Sequence, residues 1–225
     1  MSISPSAAAG PTEFESLALR SDGNLQGYWR LEADGTDETA NNYDLGAIGT
    51  PGDTTGVFGN AQSFTGDDAW YLAKASCPNL FVSTSQSITF WFKLSSKDTY
   101  QCPVMRATND SSNGVGVAVL NTNALSYYFN GLTPDRNNPA FTVDVDIWYF
   151  CAVVYDSVAG TVAQYLDGSS TSTSVTGTIT TTGTGFAIGR FGGWGGFYFN
   201  GVVDDVTYFD RALTPTEINT IYTGS

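Results

Sequence analysis

The chain contains no histidine. That absence removes the Ser-His-Asp and Cys-His nucleophilic devices and any histidine-ligated zinc. Lysine is nearly as scarce, with Lys74, Lys93 and Lys97 the only three, and the formal net charge is −13. Such a surface repels phosphate backbones and anionic lipid, so nucleic acid and membrane are set aside as partners. No stretch approaches the ~18 consecutive apolar residues of a membrane span. The opening M-S-I-S-P-S-A-A-A-G-P has no basic n-region and too short an apolar run for a signal peptide. The expectation is a mature fragment, or a protein that reaches the outside by another route such as lysis and virion assembly. The three cysteines are odd in number and form no C-x-x-C, which argues against a disulfide scaffold or a zinc knuckle. Cys77 and Cys102 each precede a proline and are expected in loops, with a single bridge between them left open; Cys151 reads as a small core residue.

What the chain does have is glycine, serine, threonine, asparagine and aromatics, the composition of many short strands joined by turns. Its 225 residues can bury a core without help from a metal or disulfide. Residues 1–20 read as an N-terminal arm ending in a short helix, with Thr12 and Glu15 at capping-box spacing. Residues 21–225 read as one domain. Its clearest strand is Q-S-I-T-F-W-F-K-L, where Ile88, Phe90, Phe92 and Leu94 alternate with Thr89, Trp91 and Lys93. Further strands are predicted at 28–31, 63–64, 69–72, 115–120, 126–130, 148–155, 162–166, 186–189 and 201–209, with Asp167-Gly168 a hairpin turn. Thr214, Pro215 and Glu217 then open a short C-terminal helix that packs through Ile218 and Ile221. The predicted fold is all-β, a two-sheet antiparallel jelly-roll sandwich with a short helix at each end.

The order G-Y-W-R-L-E, A-Q-S-F-T-G, S-I-T-F-W-F-K, W-Y-F-C-A-V-V-Y-D, Q-Y-L-D-G, F-A-I-G-R, F-N-G-V-V-D-D-V-T-Y-F-D-R-A-L-T-P-T-E-I resembles the concanavalin A-like, laminin-G-like jelly-roll family over roughly residues 24–222. The resemblance implies a sandwich of two antiparallel sheets, often with a structural calcium near the N-terminal segment. It also implies members that bind glycans, mediate adhesion, sit beside glycosidases or occur in virions.

Asp204 and Asp205 are adjacent in the last strand, and alternation predicts that one faces inward. A buried carboxylate needs a partner. Two readings stand. In the first, calcium is held by Glu38, Asn41, Asn42 and Asp44 of the E-A-D-G-T-D-E-T-A-N-N-Y-D-L-G segment together with Asp204, while Asp205 faces water or a neighbouring loop. In the second, Asp204 accepts main-chain N–H bonds from the N-terminal loop without any metal, or pairs with Arg30 or Arg211.

For catalysis, the route left on this fold is glycoside hydrolysis by paired carboxylates. Related glycosidases carry E-x-D-x-x-E on one strand, and that run is absent. The nearest imitation, D-V-D at 144–146, precedes a strand where a turn is expected, and Asp67-Asp68 belongs to a G-D-D turn. The chain reads as a non-enzyme.

Sugars are held by aromatic faces and a few polar groups. G-R-F-G-G-W-G-G-F-Y-F-N-G has that character through Trp194 and Tyr198. Trp70, Tyr128, Asp135 and Arg136 are the other candidates. The Trp194 loop has a plainer reading, as a lid on the sandwich edge or a subunit contact. Three functions compete. One is a non-catalytic recognition or adhesion module for a glycan or cell-surface polysaccharide. Another is a virion subunit (capsid decoration or tail appendage) that docks on other virion subunits through its N-terminal arm. The last is an accessory domain of a glycoside hydrolase. All place the chain outside the cell or on a virion surface.

Overall fold

Alternation along Gln86–Leu94 sets the architecture. Ile88, Phe90, Phe92 and Leu94 enter one apolar cluster, while Trp91 enters a second on the opposite face. A strand apolar on both faces must be covered on both, so this one lies at the centre of the molecule. The computed structural model describes residues 13–14, 17–67, 71–80, 82–97, 99–106, 114–137, 140–180, 185–191 and 197–224.

In chain order the elements are β1 (Leu25–Trp29), β2 (Gly46–Ile48), β3 (Gly52–Thr55), β4 (Asn60–Thr65), β5 (Tyr71–Lys74), β6 (Gln86–Leu94), β7 (Gln101–Arg106), β8 (Val115–Val119), β9 (Ala124–Phe129), β10 (Leu132–Thr133), β11 (Phe141–Thr142), β12 (Trp148–Asp156), β13 (Thr161–Leu166), β14 (Ser169–Ser174), β15 (Thr176–Gly177), β16 (Phe186–Ile188), β17 (Asn200–Phe209) and α1 (Pro215–Thr223). One sheet runs β14-β13-β12-β6-β17-β4-β3, with β1 also on β17. The second runs β11-β9-β8-β7-β16-β5-β2, and β10 pairs with β15 apart from both. The main core fills the space between the sheets: Phe90, Phe92, Val153 and Tyr208 from the first meet Val104, Val117, Phe129 and Ile188 from the second.

The outer face of the first sheet is covered too. Trp91, Phe150 and Phe209 lie under Phe14, Phe58 and the α1 residues Ile218 and Ile221. Tyr222 packs its ring on Phe150 at 5.5 Å and on Trp91 at 5.7 Å. Each large apolar side chain buried there contributes roughly 1.5–3 kcal/mol. The α1 capping box forms as predicted: Glu217 N donates to Thr214 Oγ1, and Thr214 N donates to Glu217 Oε2 at 2.7 Å. Arg211 grips both Glu217 oxygens and reaches Asp22, tying the helix start to the N-terminal segment. Asp167 and Gly168 both have positive φ, as the tight hairpin between β13 and β14 requires.

Several expectations need correction. The first strand is Leu25–Trp29, and the chain turns out of it at Leu31, whose φ is 63°. Near the N-terminus the described residues form a short 3-10 turn at Ala18–Ser21; Thr12 and Glu15 fall outside the described residues. Cys102 lies in strand β7 rather than a loop. Its neighbour Pro103 is accommodated because the register with β8 shifts between Gln101 and Val104, and a bulge is where a strand tolerates a residue without an N–H. All three cysteines are buried free thiols, so Cys77 and Cys102 are not bridged. Burial pushes each of these two thiols up to about 12.

Candidate functional site

The second sheet turns its outer face to a cleft of about 410 Å³. Its floor comes from β7, β8 and β9: Cys102 and Met105, Ala118, and Ser126. Tyr128 alternates outward while Tyr127 and Phe129 enter the main core. Beyond β10 the chain doubles back along β9. Phe129 N donates to Asp135 O at 2.7 Å, and Arg136 pairs with Tyr128 as an isolated bridge. Arg136 thereby lays its guanidinium over the Tyr128 ring at 5.5 Å. Its Nε donates to Asp135 Oδ1 at 3.2 Å, and that bond raises the guanidinium pKa further. The opposite wall is aromatic. Phe191 and Phe197 meet edge to face at 6.0 Å, and Tyr100, 46% exposed, packs against Phe197 at 5.6 Å.

The polar groups at the base of the cleft are spoken for. Asn137 Oδ1 accepts from Ser126 Oγ and Tyr127 N, and its Nδ2 donates to Gln164 Oε1 at 2.7 Å. Gln101 donates to Ser96 O and accepts from Asn200 N. Among the described lining residues, Arg136 is the charged group, and none is a carboxylate. The cleft thus offers aromatic faces with hydrogen-bonding capacity at one rim.

Of the residues predicted to bind a ligand, Tyr128 and Arg136 line the cleft, while Asp135 accepts from Arg136 without lining it. Tyr198 does not line the cleft; it pairs with Arg190 in an isolated bridge, its ring 5.9 Å from that guanidinium. Trp70 and Trp194 lie outside the described residues. Tyr100, Met105, Phe191 and Phe197 were not singled out from the sequence. The available signal was that Phe191 and Phe197 flank the glycine-rich run; nothing local marks Tyr100 or Met105.

The aspartate pair has a different setting from the one alternation predicts. β17 pairs with β4 through Val203 and with β1 from Val206, so Asp204 and Asp205 fall where its neighbour on that edge changes. The register with β6 shifts between Asp204 and Thr207, and Asp205 takes φ 52°. This bulge brings both carboxylates to the outer side of the first sheet, opposite the main core. Both are buried, Asp204 at 0% and Asp205 at 6% exposure, so Asp205 does not face water. Asp204 Oδ2 accepts from Val57 N at 2.7 Å and Phe58 N at 3.1 Å, so its donors are main-chain N–H groups, but of the turn between β3 and β4 rather than of the N-terminal loop. Its Oδ1 is buried without a partner. Asp205 accepts from Tyr28 Oη at 2.7 Å and from the Phe14 amide. Burial, and then the charge of Asp205, push Asp204 up to about 8; burial pushes Asp205 up to about 7.

The five calcium candidates do not assemble into one shell. Asp204 serves the 57–58 turn. Asp44 Oδ1 accepts from Asp37 N, Asn41 joins Gln26 and Asn79, and the Asn42 amide donates to Ala40 O. Glu38 is exposed, and its backbone carbonyl, not its carboxylate, takes the Arg20 guanidinium. Among the described residues no three acidic or thiol side chains converge. The loop is organised instead by Asp37, whose carboxylate, 5% exposed, accepts from Tyr28 N, Thr39 N, Thr39 Oγ1 and Tyr43 N. The run E-A-D-G-T-D at 32–37 also nears the glycosidase spacing, but it lies in the connection after β1. There Glu32 caps Asn60 N, and Asp34 caps Thr36 N.

Comparison with known proteins places this arrangement in context. The domain 4 of AbnA, an extracellular arabinanase from Geobacillus stearothermophilus solved with arabinotriose, superposes with a TM-score of 0.68 at 19% identity, covering 88% of this chain and 98% of that one. The binding domain of Paraclostridial Mosquitocidal Protein 1 gives 0.71 at 14% identity, covering 89% and 52%. Trypanosoma rangeli sialidase with 2,3-difluorosialic acid gives 0.64 at 14%, covering 90% and 33%. The chain therefore spans about half of the toxin domain and a third of the sialidase. No curated protein sequence matches the chain. The family described as the concanavalin A-like lectin/glucanases superfamily matches residues 64–219, and the chain belongs to that superfamily.

Proposed function

We propose that this protein is a non-catalytic glycan-recognition module whose ligand lies in the cleft on the outer face of the second sheet. The observation that carries the reading is the joining, in one concave site, of the Tyr128–Arg136 stack with the Phe191–Phe197–Tyr100 wall. Sugar C–H faces stack on aromatic rings, and a guanidinium supplies N–H donors to hydroxyls. The net charge of −13 favours a neutral polysaccharide over an anionic one. Structural neighbours solved with arabinotriose or with SialylT support a carbohydrate ligand, and extracellular placement goes with it.

The lack of catalysis in this reading rests on where the acids are. No described residue lining the cleft is Asp or Glu. The adjacent pair Asp204 and Asp205 is sealed on the other sheet beneath Phe14, Phe58 and Tyr28. Glycoside hydrolysis needs two carboxyls flanking an accessible bond.

Affinity electrophoresis of the full chain through gels containing linear arabinan, xylan or mixed-linkage glucan tests the proposal. At least one polymer should retard the protein, and Tyr128→Ala should abolish the retardation while the thermal midpoint stays within a few degrees. No retardation by any neutral polymer, or an undiminished effect in Tyr128→Ala, overturns the reading.

A further inference from the structure

The lining of the cleft divides by what a ligand can reach. Gln101, Ser126 and Asn137 are buried at its base, and their hydrogen bonds are made within the protein. Cys102 and Met105 are buried as well, with Phe191 and Phe197 packed against them. What stays open is mostly carbon: the half-buried Ala118 and Leu120 and the rings of the aromatic wall. The polar exceptions are the exposed Arg136 guanidinium and the hydroxyls of Tyr100 and Tyr128.

This division acts as a filter. A hydroxyl pressed against the aromatic wall sheds its water and meets no partner, which disfavours it. A methyl group there gains by burying its surface. Arg136 makes a different demand. A guanidinium has N–H donors and no acceptor, so it answers only an acceptor. Its charge is already met, because its Nε and a terminal nitrogen donate to the two Asp135 oxygens at 3.2 and 3.4 Å. The acceptor therefore has no need of a negative charge. Tyr100 lies near enough to Arg136 to help raise the guanidinium pKa, so the wall and the guanidinium face the same space. A plain sugar hydroxyl is donor as well as acceptor and brings no methyl. An acetyl group carries a methyl and a carbonyl oxygen on one carbon and, as an ester, has no donor.

Resting on the glycan-recognition reading, we infer that the preferred ligand is an acetylated glycan, its acetyl methyl seated against Tyr100 and Phe197 and its carbonyl oxygen accepting from Arg136. The sugar ring itself stacks on Tyr128, so the acetyl group sets selectivity, and an unacetylated chain binds more weakly rather than not at all.

The experiment runs the full chain by affinity electrophoresis through arabinan, xylan and mixed-linkage glucan, each plain and partially O-acetylated. Acetylation should tighten binding about tenfold, the worth of one small apolar group in a matching pocket, and alkaline removal of the esters should reverse the gain. Saturation-transfer NMR with the acetylated polymer should label the acetyl methyl protons more strongly than the ring protons. As free competitors, 6-O-acetylglucose and N-acetylglucosamine distinguish ester from amide; at least one should displace the polymer better than glucose does. Tyr100→Ala, a change at an exposed position, should shrink the gain from acetylation, and Tyr100→Phe should keep it. Plain and acetylated polymers that retard the wild type equally overturn the acetyl assignment while leaving the glycan reading intact. So does a full gain in Tyr100→Ala, or a pair of acetylated competitors no better than glucose. Failure of every polymer in both forms removes both readings.

Discussion

Raising the pH from about 5 to about 8 should weaken this fold, and Asp204→Asn should remove the share of that loss that Asp204 carries, leaving the share of Asp205. Asp204 and Asp205 are held above the ordinary carboxyl value of 3.8, at about 8 and about 7, both chiefly by burial, with the charge of Asp205 adding to the shift of Asp204 and that of Glu13 to the shift of Asp205. An acid whose folded pKa is raised keeps its proton in the native state after the unfolded chain has released it. Below the unfolded value both states are protonated and the native state has its full stability. As pH climbs through the window up to about 8, stability falls, and above that it levels off. If the pair holds one proton more than the unfolded chain between pH ~5 and ~7, the loss is about 1.4 kcal/mol per pH unit, or roughly 3 kcal/mol in all. Asparagine keeps the oxygen that accepts from Val57 N and Phe58 N and cannot ionise. The chain has no histidine, so little else titrates in that window by nature. Asp167 and Asp210 are also raised by burial, and the comparison with Asp204→Asn subtracts them. Urea unfolding followed by tryptophan fluorescence across this range reads the effect. Parallel wild-type and Asp204→Asn stability profiles would refute the reasoning, because they would mean that the buried pair carries no extra proton.

Other outcomes follow from the same contacts. Arg211 holds the Glu217 carboxyl down to about 2, so its contribution is complete above 4.5 and fades as pH falls toward 2. Glu217→Gln should cost roughly 1–2 kcal/mol near neutrality, read by thermal melts. The three thiols should react with a disulfide reagent only after denaturation, and intact mass under oxidising conditions should show no internal bridge, since all three are buried and unpaired with one another. A chelator should leave the thermal midpoint unchanged, because the side chains of Asn41, Asn42, Asp44 and Asp204 are engaged by protein groups; a drop of several degrees would mean that a metal is held after all.

Local chemistry alone determined the elements whose partners lie close in sequence. The α1 capping box needs only Thr214, Pro215 and Glu217, and the β13–β14 hairpin needs only Asp167-Gly168. The alternation of β6 announced a strand apolar on both sides, hence a central one. Tertiary structure decided the rest. β7 was hidden because Pro103 reads as a breaker until a bulge opposite β8 excuses it. The aspartate pair was legible as a demand for partners, but the bulge that turns both to one face depends on β17 changing neighbours from β4 to β1, which no local pattern encodes. The cleft is the extreme case. Tyr100, Met105, Tyr128, Arg136 and Phe197 meet only because distant strands pair in one register, and a side chain's identity does not say which strand will lie beside it.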